Sequence, residues 1–158
     1  MSTMNIDSIA KLVCISVYAT FLGAQLTEAL LMVPHWQSLS AEVFYAYYAE
    51  FGPTIGKFYT ILTIIASLIP LVVAIRFQWK KVEGARYAMA SAFCALLVIV
   101  AFYVYFKGAN ASFYEKALSE GELAQELIVW SYWHWGRVFL EGASLIFLML
   151  TFGKKEGG

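Results

Sequence analysis

Apolar residues gather into four long runs, over residues 9–33, 54–76, 85–106 and 133–152. Crossing the hydrocarbon core of a bilayer, roughly 30 Å thick, takes about 20 helical residues. Each run is long enough. A segment in lipid must satisfy its backbone internally, as a helix or a closed barrel, and barrel strands alternate apolar with polar positions. These runs do not alternate. The pattern predicts an all-α fold, a four-helix transmembrane bundle with short amphipathic outer helices. Residues 1–158 form a single integral membrane domain without internal repeats.

The connections carry their own pattern. Between the first two runs, Pro34 is expected to end or bend the first helix. Ser38 or Ser40 then caps a short helix whose Phe44, Tyr45 and Tyr48 suit the headgroup level. Before the fourth run, Phe113, Ala117, Leu118, Leu123, Leu127 and Val129 alternate with Glu115, Glu120, Glu122 and Glu126. That predicts one or two amphipathic interfacial helices broken near Gly121. At the N-terminus, Asp7 and Lys11 lead into an apolar run longer than the roughly 7–15 residues of a signal-peptide core, so a retained first span is expected. Arg76, Lys80, Lys81 and Arg86 lie between the second and third runs, and Lys154 and Lys155 in the tail. The positive-inside rule then places both termini and that loop in the cytoplasm, across a plasma (inner) membrane, with residues 34–53 and 107–132 outside.

Composition sharpens the class. Of 158 residues, 61% are hydrophobic and 17% aromatic, while 14% are charged against about a quarter in soluble domains. The bilayer is therefore the expected first partner. Formal net charge is zero, and neither zinc-finger spacing nor a Gly-rich phosphate loop occurs, which argues against nucleic acid. Cys14 and Cys94 each sit inside an apolar run and read as packing residues rather than a disulfide.

Polar residues inside these runs are the candidate chemistry. In the fourth run, Trp130, His134, Arg137, Glu141, Ser144 and Leu148 step by three or four residues and share one helix stripe. In the first run, Cys14, Val17, Phe21, Gln25, Glu28, Met32 and nominally His35 do the same. With the first and fourth helices antiparallel and adjacent, His35 and His134 share an outer level, Glu28 and Glu141 a deeper one, and Arg137 falls between. Ionisable groups at such depth are costly and usually face a bundle interior or a cavity. Glu28, Arg137, Glu141 and His134 are thus the candidate catalytic groups; Gln25, Lys57, Tyr59, Trp130 and Trp133 are candidate pocket walls. Plainer roles compete. Arg137 and Glu141 form an i, i+4 pair, Lys57 is placed to snorkel, and the tryptophans suit surface anchoring. His35 and His134 are the candidate cofactor ligands, since bis-histidine haem needs two rings facing across a cavity. The Glu-x-x-His spacing of carboxylate-bridged bundles is missing, so no metal set is assigned and the cofactor stays open. Gly142, Ala143 and Ser144 would support a tight helix contact, including one between copies in a homo-oligomer.

Two elements resemble a family. Leu31-Met-Val-Pro-His-Trp36 is similar to the Val-Met-Pro element of the anthrone oxygenase-like proteins, small four-helix membrane proteins mostly of unknown function. Trp130-x-x-Trp133-x-x-x-Arg137 resembles their closing Trp-x-x-Trp-Asn-x-x-Arg element, with His134 where that family more often has Asn. The resemblance implies that Pro34, Trp130, Trp133 and Arg137 shape a shared pocket, and it implies oxygenation of an aromatic, polyketide-type substrate in the named members. The expectation is an outward-facing polar pocket for a small, partly apolar molecule. Acid–base chemistry there has Glu28 or Glu141 as general base, Arg137 stabilising an enolate or phenolate oxygen and the histidines relaying protons. A non-catalytic membrane subunit holding haem, quinone or a partner protein is the competing expectation.

Overall fold

Each apolar run forms a helix that extends past the run itself. The computed structural model describes residues 6–81 and 83–153, among which there is no strand. Four helices are long and apolar enough to span a membrane: Asp7–Gln37, Ala41–Lys80, Ala85–Tyr114 and Glu120–Gly153. The protein is an all-α membrane protein, and these are called the first to fourth helices below. The fourth packs along the third and the first, and the second packs on the first and third, closing a ring. Ile61, Ile64, Leu68, Val72, Phe139 and Ile146 stand exposed on its perimeter, as expected where lipid is the solvent.

Two apolar clusters bracket a polar layer. At one end Tyr18, Phe21, Ala66, Val73, Phe77, Ala88 and Leu148 pack together. The rings of Phe77 and Phe152 lie 6.2 Å apart there, and Arg76 Nη2 comes within 3.8 Å of Asp7 Oδ1, so both described chain ends lie at this end of the bundle. Lys154 and Lys155 fall outside the described residues. At the other end Trp36, Phe44, Tyr48, Phe106, Phe113 and Trp130 build an aromatic cap. Phe44 and Tyr48 meet the edge of Phe113 at 5.3 and 5.4 Å between centroids, geometry that aromatic quadrupoles favour.

The connections differ from the sequence expectation. The second helix does not begin after Pro53. It is one 40-residue helix from Ala41 to Lys80, with Pro53 and Pro70 inside it and Ser40 at its N-cap, where Oγ accepts from Val43 N–H. Proline is tolerated within membrane helices because neighbours and local adjustments satisfy the carbonyls it frees. At about 1.5 Å per residue this helix is about 60 Å long, so its first turns rise beyond the hydrocarbon core. They stand as a wall of the aromatic cap instead of lying flat, and Tyr45 Oη donates to the Leu118 carbonyl at 2.8 Å.

The later break falls over residues 115–119, not at Gly121. Lys116 has φ 54°, a left-handed conformation that stops a helix. Glu122 then reaches back to Ser119 at the start of the fourth helix, the carboxylate half of a capping box: the Ser119 N–H and Oγ both donate to Glu122 Oε2, at 2.9 and 2.6 Å. Gly121 lies inside the first turn that follows.

Candidate functional site

The site begins with a distortion of the first helix. Residues Glu28–Met32 form a π-helical turn, in which Val33 N–H reaches back five residues to the Glu28 carbonyl. Pro34 supplies the cause. It has no N–H for the Leu30 carbonyl, and its ring crowds that carbonyl, so a wider turn relieves the clash. The wider turn rotates everything beyond it. Gln25 before it and Glu28 at its first position are buried, as are Val33 and Trp36 after it, while Met32 is half-buried and His35 exposed. An uninterrupted α-helix would have kept Glu28, Met32 and His35 on one face. A second π turn, Phe102–Phe106, interrupts the third helix, and no proline accompanies it.

Facing Gln25 and Glu28 is the stripe of the fourth helix. Arg137 Nη2 donates to His134 Nδ1 at 2.7 Å and to Gln25 Oε1 at 3.1 Å, and approaches Glu28 Oε2 at 3.4 Å. Two hydrogens serve three acceptors, and the carboxylate is the loosest. A guanidinium only donates, so His134 Nδ1 is the accepting nitrogen. His134 Nε2 then carries the hydrogen and donates to the Gln25 carbonyl at 3.0 Å. The imidazole is neutral in this network, and its 3.7 Å approach to Glu28 is a polar contact rather than an ion pair.

Aromatic rings fix these groups. Trp130 stacks on His134 with centroids 5.0 Å apart, and its Nε1–H donates to Asn110 Oδ1 at 3.1 Å. Arg137 Cζ sits 4.1 Å from the centre of the Phe106 ring, a cation–π contact that the second π turn places there. Phe106, Asn110 and the Tyr105–Glu126 hydrogen bond of 2.7 Å carry no signal in the sequence pattern. They look like parts of an ordinary span end and connection.

Burial is nearly complete: His134 and Glu141 are 0% exposed, Gln25 1% and Glu28 4%. Below Arg137, Glu141 has no hydrogen-bond partner on either oxygen; Arg137 Nε and Gln25 Nε2 also lack partners. Arg137 thus reaches across to the first helix rather than down its own helix to Glu141. One turn deeper, Ser91 Oγ donates to the Ser144 carbonyl at 2.8 Å and Ser144 Oγ to the Ser91 carbonyl at 2.9 Å, locking the third helix to the fourth.

The structure brings together Gln25, Glu28, Trp130, His134 and Arg137, with Glu141 adjoining. Other expected members lie elsewhere. Lys57 is exposed, and Tyr59 Oη is committed to the Ala24 carbonyl at 2.9 Å. His35 meets the edge of Tyr47 at 6.1 Å, on the outside. The pairing of His35 with His134 as cofactor ligands is therefore corrected: the π turn separates them, and both nitrogens of His134 are already engaged. Among the described residues no group of three or more His, Cys, Asp or Glu side chains is placed to hold a metal, and Cys14 and Cys94 are free thiols.

Trp133 leads to the accessible side of the network. It is 39% exposed and stacks on Tyr105 at 5.0 Å, with the rings 6° from parallel. With Ala101, Tyr132, Gly136, Arg137 and Leu140 it lines an open groove of about 450 Å³ on the third and fourth helices. Arg137 is the one charged residue in that lining, and its side chain keeps 12% exposure. Comparison with family models, curated proteins and solved structures gives no match to this chain.

Proposed function

We propose that this protein binds a small, partly apolar molecule through a polar head held at Arg137. The carrying observation is that Arg137 belongs at once to the buried network and to the wall of the groove. Glu28 offsets its charge within the bundle, Gln25 and His134 hold one nitrogen, and the rings of Phe106 and Trp130 support the guanidinium. Such preorganised donors in a low-dielectric setting suit an oxygen that carries or develops negative charge. By the positive-inside rule the site opens toward the outer half of the membrane.

Acid–base work on the bound molecule fits the same site, with Glu28 as the base and Arg137 steadying the resulting enolate or phenolate. The anthrone oxygenase-like resemblance belongs to this reading too: Trp133 and Arg137 line the groove, Trp130 backs His134, and Pro34 accounts for the π turn. Oxygenation of an aromatic ligand would show as dioxygen uptake lost in Arg137→Gln. The test of binding is thermal unfolding of purified protein against a library of apolar acids, phenols and ketones. A ligand is expected to raise the midpoint of the wild type and not of Arg137→Gln or Glu28→Gln. Equal shifts in all three would remove Arg137 as the site.

A second reading rests on Gln25 and Glu28, which join the first helix to the fourth through Arg137. In a non-catalytic subunit those bonds only pin the bundle. That role predicts lower stability in Arg137→Gln and no ligand response in the wild type.

A further inference from the structure

We infer that the groove beside Arg137 admits a long-chain carboxylate from the bilayer, sideways between the third and fourth helices. This rests on the binding role proposed for Arg137 and names the ligand class and its route.

Charge complementarity selects the head group. Five of the six lining residues are uncharged, and the sixth is a guanidinium. Every hydrogen bond of Arg137 runs through Nη2, and Nε is buried, which leaves Nη1 as the donor free for a ligand. A carboxylate accepts a charge-assisted hydrogen bond from such an N–H, and its charge complements the guanidinium.

Depth selects against a phospholipid headgroup. Trp133 is a ring of the interfacial kind, and Arg137 lies four residues further along the helix, about 6 Å deeper. A small carboxylate can be drawn that far below the surface, whereas a phosphodiester with two chains stays at headgroup level. The rest of the wall, Ala101, Tyr132, Trp133 and Leu140, suits an alkyl chain. Val100, Tyr103 and Phe139 are exposed on the same two helices, so the groove opens among lipid-facing side chains.

Gly136 keeps the groove open. Apart from its chain neighbours Trp135 and Arg137, a Cβ added there would meet nothing within 4 Å, so a larger side chain has room to extend into the groove.

The test uses the full chain in nanodiscs, with tryptophan fluorescence quenched by 9,10-dibromostearate and by its methyl ester. The acid is expected to quench saturably and the ester at least tenfold more weakly. Gly136→Leu should weaken acid binding at least tenfold at an unchanged unfolding midpoint. If that variant does not fold, Leu140→Trp fills the groove from its rim and is expected to do the same. Equal quenching by acid and ester would overturn the carboxylate assignment. Loss of binding in Arg137→Gln, with full binding in both groove-filling variants, would keep the Arg137 site and overturn the lateral route. Release of a dimer by Gly136→Leu, without any effect on quenching, would assign the groove to a second copy and overturn the proposal.

Discussion

At the scale of single residues, Arg137 and Glu141 sit one turn apart in opposite circumstances. Arg137 is paired and hydrogen-bonded across the bundle, whereas Glu141 is fully buried with both oxygens unpartnered. Removing one member of a buried pair strands the other, at about 3–5 kcal/mol. Arg137→Gln is accordingly expected to lose about 3 kcal/mol in denaturant unfolding. Glu141→Gln keeps the shape and replaces a buried carboxyl that makes no hydrogen bond, so it should be at least as stable as the wild type. The reverse order would contradict this assignment of partners. His134 supplies a spectroscopic check. Nitrogen NMR should show Nδ1 as the bare, accepting nitrogen and Nε2 as the protonated one, and the opposite tautomer would break the chain from Arg137 to the Gln25 carbonyl.

At the scale of elements, the π turn at Glu28–Met32 decides which residues of the first helix join the site. It turns Trp36 inward, to 2% exposure, and His35 outward. Trp36→Ala should therefore cost about 3–5 kcal/mol by loss of core packing, and His35→Ala less than about 0.5 kcal/mol as a surface change. Comparable losses would mean that the register continues unbroken. The same turn marks where the sequence stops being legible. Four spans and the Trp130–Glu141 stripe follow from apolar run length and a period of 3.6 residues. The meeting of that stripe with Gln25 and Glu28 also needs the first and fourth helices to be neighbours, which periodicity does not fix. The position of His35 does not follow either, because it depends on how the backbone absorbs Pro34. Pro53 and Pro70 show the converse, since they leave a 40-residue helix unbroken. Phe106 and Asn110 became site residues only through a π turn and the helical turns that carry the third helix past its apolar run.

At the scale of the whole molecule, a polar layer lies between an aromatic cap and an apolar cluster near the chain ends. The positive-inside rule predicts that this second cluster, with basic residues beside it, faces the cytoplasm. With Cys14 and Cys94 replaced, a cysteine at exposed Lys81 should react with an impermeant thiol reagent only from the cytoplasmic side, and one at exposed Ala117 only from outside. Labelling of both from one side would overturn the four-span topology. The central claim, that the Arg137 layer holds a ligand rather than merely joining two helices, is met most directly by mass spectrometry. Small molecules would be extracted from gently purified wild type and Arg137→Gln of equal helical content. The account predicts an apolar acid close to one per chain in the wild type and absent from the variant. Identical extracts from the two proteins would contradict it.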